Sequence, residues 1–338
     1  MGSSGASIFL SGNQQANIMK KIILPAKVFE FSLFDFICTL GDASDADRIQ
    51  VDFQLVNFYV PSAIVALLTR FHFWLAQGKE VSILNHSSCS AYSYLQRMDF
   101  FKQCGLTLEE DFQRHPAKGR FVPLREITHD TETLSTEIAT CMEPKQAELD
   151  DIEQTGLFDY FEYSISELAN NCVQHGCRNG RNSKAFAFAQ YAPSGDNVRV
   201  AIADTGVGIR NSFEGSEYYS PELDDMGAIR KALEPNVSCA THLYAWGSSP
   251  NMGVGLTLLW DTVEKLGGQF LIVSGEGFLS SSEGEQLLSK ENAFDGTLCS
   301  FMFSRENFSN FKDHHSLLMK SKTDLGLVKE NRIGGTFE

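Results

Sequence analysis

Long apolar runs are missing from this 338-residue chain. No stretch reaches the ~18 residues that a membrane-spanning helix needs, and Arg70 and His72 interrupt the best candidate. A secretory leader is not legible either, because Lys20-Lys21 is followed only by Ile-Ile-Leu before Pro25. Ala6 stands where an N-myristoylation signal needs Ser or Thr. Positive charge is scarce: 28 Lys and Arg against 43 Asp and Glu leave a formal net charge of −15. That balance argues against nonspecific binding to nucleic acid or to anionic membranes. The eight cysteines have neither disulfide-framework nor zinc-site spacing. Free thiols fit a reducing, cytoplasmic setting. Internal repeats are also lacking.

What the second half contains is a set of short islands, each at the expected end of a helix or strand. Phe158, Phe161, Ile165, Leu168 and Cys172 recur at three- and four-residue steps, a one-sided helical stripe. Glu167 and Asn171 lie four apart and so share a side of that helix. An Asn amide oxygen suits Mg²⁺, which takes oxygen ligands and few protein groups when phosphates are present. A carboxylate one turn earlier can orient and deprotonate water. Taken alone, the pair is also what an ordinary solvated helix face carries.

The β-rich run Val198–Ala203 ends at Asp204, and Lys184–Tyr191 precedes it across the turn cluster Pro193–Asn197, which predicts a hairpin. A carboxylate there can accept hydrogen bonds from an adenine amino group, a donor that guanine lacks at that position. Gly206 and Gly208 allow backbone shapes that side chains would block. Gly253-Val-Gly255 opens a helical pattern from Leu256 to Leu266, ended by Gly267-Gly268 and followed by the strand-like Gln269–Val273. A glycine loop feeding a helix start offers free N–H groups to phosphates. Gly296-Thr297 precedes the apolar strand Leu298–Phe303. Between the second and third islands, residues 210–252 are long for a connection, as functional lids are. Inside them Gly227–Leu233 reads as helical, and Arg230 and Lys231 read as phosphate contacts or as solvated surface charges.

In order and flanking pattern, Glu167-Leu-Ala-Asn-Asn171, Asp204-Thr-Gly-Val-Gly208, Gly253-Val-Gly-Leu256 and Gly296-Thr297 resemble the GHKL family. That family includes gyrase-type topoisomerases, MutL proteins, histidine kinases and anti-sigma-factor kinases. The resemblance implies a two-layer α/β sandwich of the Bergerat type, with helices on one face of a mixed sheet. It implies ATP and Mg²⁺ as cofactors, with Asn171 on the metal and Glu167 as general base. Asp204 would read adenine, Gly206 and Gly208 would line the base pocket, Gly253, Gly255 and Leu256 would meet the nucleotide, and Thr297 would support Asp204.

The first half reads as β-α-β-α: a strand over Val51–Phe58, a helix over Ala63–Ala76 opened by Pro61-Ser62, a strand over Glu80–Leu84 and a helix over Ser90–Cys104. Such an order predicts parallel strands joined by right-handed crossovers. With its Pro-Ser opening and the run Leu95-Gln-Arg-Met-Asp-Phe-Phe101, it resembles the STAS-like domain of anti-sigma-factor antagonists over about residues 45–110. Ser62 aligns with the serine that is phosphorylated in those antagonists. Its flanks, Val60-Pro and Ala63, depart from their pattern, and the plain reading of Ser62 is a capping hydroxyl at a helix start. Arg125–Asp130, with His129, faintly resembles a phosphoacceptor box.

The expected organisation is therefore a disordered leader over 1–20, a smaller STAS-like α/β module over 21–145, an ATP-binding domain over 146–304 and a tail over 305–338. The expected activity is that of a Mg²⁺-dependent, slow ATPase switch acting on a protein partner in the bacterial cytoplasm, with a homodimer compatible. A serine kinase of the anti-sigma type and a nucleotide sensor without turnover are the alternatives. Phosphate release and phosphoprotein formation would separate the three.

Overall fold

A computed structural model of the protein describes residues 18–310, apart from 42, 44, 129, 144–150, 177–182, 235–236 and 238–254. His129, Gly253 and nearly all of the expected leader and tail lie outside the described residues.

The elements follow in the order β1 Met19–Ile23, β2 Lys27–Val28, α1 Leu33–Gly41, β3 Arg48–Asp52, β4 Phe58–Tyr59, α2 Pro61–Ala76, β5 Glu80–Leu84, α3 Tyr92–Arg97 and α4 Phe100–Gln103. Next come β6 Phe121–Glu126, α5 Thr131–Met142, α6 Asp151–Gly176, β7 Ala185–Ala192, β8 Asn197–Asp204, α7 Gly208–Ser212 and α8 Asp225–Ala232. The last are α9 Gly255–Lys265, β9 Gln269–Gly275, β10 Gly277–Ser280, β11 Gly284–Leu287 and β12 Phe294–Ser304.

The protein is mixed α/β. β1, β3 and β5 form a three-stranded sheet, parallel at both pairings, as the β-α-β pattern requires. Pro61 starts α2, where its missing N–H is no loss, and Gly78 with φ +77° lies just beyond its end. The strand expected over Val51–Phe58 stops at Asp52, because Phe53 accepts from the Val56 N–H in a tight turn. The helix expected over Ser90–Cys104 is two short helices, broken where Asp99 takes φ +63°.

β2 and β4 form a two-stranded parallel sheet, and a seven-stranded sheet in the order β11-β10-β9-β12-β8-β7-β6 makes up the rest. Every pairing in it is antiparallel, so it is not the mixed sheet expected. Nor are its helices confined to one face. α5, α6 and α9 cover one side, and α2 packs on β7, β8 and β12 from the other. β7 shows why both faces are filled. Its sequence alternates Ala and Phe, so Phe186 and Phe188 point into the core shared with α2 while Ala185, Ala187 and Ala189 point toward α5 and α6. α2 is buried continuously from Pro61 to Phe71, as a helix clasped between two sheets must be. β6 pairs with β7, so the chain joins the large sheet at Phe121, well before residue 145.

Candidate functional site

α6 is a 26-residue helix, and side-chain bonds hold it on two sides. Tyr160 donates its hydroxyl to the Leu258 carbonyl of α9 at 2.7 Å and lies 2.5 Å from Thr262 Oγ1. Thr131 Oγ1 of α5 donates to Asn170 Oδ1 at 2.8 Å. Glu167 is buried on this helix, with Asn171 partly exposed one turn later. Burial pushes the Glu167 carboxyl up to about 7. A carboxyl poised there can take a proton from water near neutral pH.

Asp204 ends β8 between Ala185 of β7 and Thr297 of β12. Its Oδ1 accepts the Gly206 N–H at 2.7 Å, and the Thr297 N–H and the Cys172 thiol also bond to the carboxyl. Burial outweighs these bonds and pushes Asp204 up to about 7. Cys172 directly follows Asn171, so the expected metal-binding helix is seated on the expected base-reading carboxyl.

The glycines around Asp204 are there for steric reasons. Gly296 has φ +100°, and a Cβ on it would lie 1.9 Å from the Asp204 carbonyl oxygen. Gly208 has φ +77°, and its Cβ would lie 2.9 Å from Ser274 Oγ. Ser274 binds the cluster together: its hydroxyl donates to the Gly296 carbonyl at 2.9 Å, accepts the Ile209 N–H at 2.9 Å and lies 3.4 Å from Thr297 Oγ1. Three chain segments distant in sequence thus meet as Asp204–Gly208, Ser274 and Gly296-Thr297. The strand expected from the sequence stopped at Val273, one residue short of Ser274, and gave Ser274 no role. Cys299, enclosed beside Asp204, is pushed up to about 12 by burial.

Gly255 begins α9, and Leu256 packs on the helix-side core. Thr257 Oγ1 donates to the Leu233 carbonyl at 2.9 Å, tying the first turn of α9 to the end of α8. The described part of the expected lid is built rather than loose. α8 is capped by Asp224, which accepts from Gly227 N–H, and Asp225 accepts the Glu276 N–H at 2.8 Å. Phe213 and Ala228 form a small core of their own. Arg230 Nε donates to Glu285 Oε1 at 2.7 Å and Lys231 pairs with Glu234 at 2.6 Å, so both make surface ion pairs.

Ser62 is only 3 % exposed and sits one residue into α2, whose extended N-cap is Val60. The capping position expected of Ser62 therefore belongs to Val60, with no side-chain bond. Among the described residues, no three or more His, Cys, Asp or Glu side chains converge as a metal site, and no helix is long and apolar enough to cross a membrane. No protein-family model matches the chain, and no curated protein matches it significantly.

Proposed function

We propose that the protein binds ATP with Mg²⁺ at the Asp204 cluster and hydrolyses it slowly, as a GHKL-type switch read by a protein partner. The observation that carries this reading is the enclosed Asp204 carboxyl, walled by Gly206, Gly208 and Gly296-Thr297 and touched by the helix that bears Glu167 and Asn171. The donor set fits the nucleotide and its metal: one amide oxygen, one carboxyl poised near neutrality, one buried acceptor and a helix start at Gly255.

In this reading the Asp204 carboxylate accepts from the adenine amino group and Thr297 holds that carboxylate in place. Asn171 offers its amide oxygen to Mg²⁺, which would screen the phosphate charge. Glu167 takes the proton of the attacking water. Accepting an amino N–H favours the ionised form of Asp204, so ATP uptake releases a proton and tightens as pH rises through about 7. Self-phosphorylation at Ser62 would require opening the packed face on which that residue is buried.

Titration calorimetry of the protein with ATP and with GTP, each with Mg²⁺, tests the reading, with phosphate release measured in parallel. Tighter ATP binding with slow phosphate release is expected. Equal affinity for the two nucleotides would remove Asp204 as the base-reading group.

A further inference from the structure

The bulged start of β12, which carries Gly296-Thr297, is gripped from the opposite face of the sheet. Arg70 of α2 is 5 % exposed and reaches across to it. Its guanidinium donates to Asp295 Oδ2 at 3.1 Å and to the Ala293 carbonyl at 2.7 Å. Phe73 and Phe294 lie at 5.6 and 5.7 Å from it, over their ring faces. A second grip lies close by. A Cβ on Gly41, at the end of α1, would sit 2.5 Å from Asn292 Cα, so the backbones there are in direct contact.

We infer that Arg70 is a positioning residue for the nucleotide site: it fixes the Ala293–Thr297 segment, and through it Asp204, so that the first half of the chain sets the site's affinity. The chain of contacts is short. Asp295 precedes Gly296, Gly296 rests on the Asp204 backbone, and the Thr297 N–H bonds to the Asp204 carboxyl. A planar fork bonded to a side chain and a carbonyl fixes a loop's direction, whereas an ammonium would fix only one contact at a time. Asp295 is 39 % exposed, so removing its partner leaves a carboxylate that water can reach. The inference rests on the ATP reading for the identity of the ligand, and not for the fixing of the bulged strand start.

The test compares Arg70→Met, Arg70→Lys and Asp295→Asn with the unsubstituted full chain. Amide hydrogen exchange without nucleotide is read by NMR at Thr297 and at Phe301 on the same strand. Local loosening predicts about a tenfold or greater loss of protection at Thr297 in Arg70→Met with little change at Phe301. ATP affinity should fall by about tenfold, within the usual range of coupling between sites. Arg70→Lys should lie between the two, and Asp295→Asn should reproduce the Met variant. Equal loss of protection along the strand would make Arg70 a general packing residue and overturn the proposal. ATP binding unchanged in Arg70→Met would overturn it as well. Absence of ATP binding in the unsubstituted chain would instead overturn the nucleotide reading and the ligand half of this proposal, while the exchange data still decide what Arg70 holds.

Discussion

The two faces of the large sheet are built from different materials. Toward α2, β7 presents Phe186 and Phe188, and His72 stacks on Phe186 with ring centres 4.8 Å apart. Toward α5 and α6 the same strand presents alanines, which let those helices lie close. The aromatic rings on that helix side gather at the far end of β12, where Phe161, Phe301 and Phe303 stack. The near end, around Thr297, holds Asp204, Cys172 and Cys299 instead. The α2 face thus sets large rings and the buried cation Arg70 against the sheet, whereas the helix face gathers buried acidic groups around Thr297, whose ionised forms are costly to hold. Stability comes mainly from large buried rings, since each removes much apolar surface from water. Chemistry needs groups whose charge state is finely balanced, and burial supplies that balance.

The sharpest way to break the comparison is at Phe186, which is fully buried. Phe186→Ala should cost about 3–5 kcal/mol in urea denaturation, the usual range for a core Phe. Because α2 and the sheet share this core, the loss should appear as one cooperative transition. Two separated transitions would mean that the two halves fold apart.

On the other face, Glu167→Gln should leave ATP binding nearly intact and reduce phosphate release by about 10²–10⁴-fold, the span of general-base catalysis. The unsubstituted rate should rise with pH through about 7, as the Glu167 carboxyl loses its proton. A rate unchanged in the Gln variant would end the general-base role.

Asp204→Asn sets function against stability at a single residue. ATP affinity should fall by at least about tenfold, because buried polar groups are left mispaired. Stability without nucleotide should change in the opposite direction. The folded-state pKa of Asp204 is raised from 3.8 to about 7, so its favourable contribution is complete below about pH 4 and is lost as pH rises through 7. The Asn variant lacks that loss. Its melting temperature should therefore fall less between pH 5 and 8 than that of the unsubstituted chain, as calorimetry can read. Equal pH slopes would show that Asp204 is not held neutral.

The smallest effect should come from Arg230, which is exposed on α8 and pairs with Glu285 at the surface. Arg230→Ala should leave both melting temperature and ATP affinity unchanged, as exposed pairs contribute little. A clear loss of ATP affinity would instead show that Arg230 leaves Glu285 to meet a phosphate.

Much of this arrangement was legible along the chain. The three- and four-residue apolar steps placed α6 with Glu167 and Asn171 one turn apart, and the Pro193–Asn197 cluster placed the hairpin that ends at Asp204. Gly206 and Gly208 were singled out for backbone freedom, which Gly208 uses at φ +77°, whereas Gly296 came in only through the resemblance. Other features were not legible. The Ala-Phe alternation of β7 says that two faces are filled, and nothing local says by what. The roles of Ser274, Cys172 and Arg70 were not legible, because they come from partners far away in sequence; Arg70 and Asp295 are 225 residues apart. Ser62 read as a capping hydroxyl at a helix start, yet packing leaves it only 3 % exposed and caps nothing with it.

The sequence by itself determined most of the second-half elements and the residue types available to a site, because turns, helical stripes and glycine backbones depend on neighbours a few positions apart. The tertiary structure alone decided which of those residues meet. It brought Asp204, Ser274 and Thr297 together, enclosed the first of them until its carboxyl was held near neutrality, and set α2 against the reverse side of the same sheet. Burial and long-range contact are properties of the packed whole, and no window along the chain contains them.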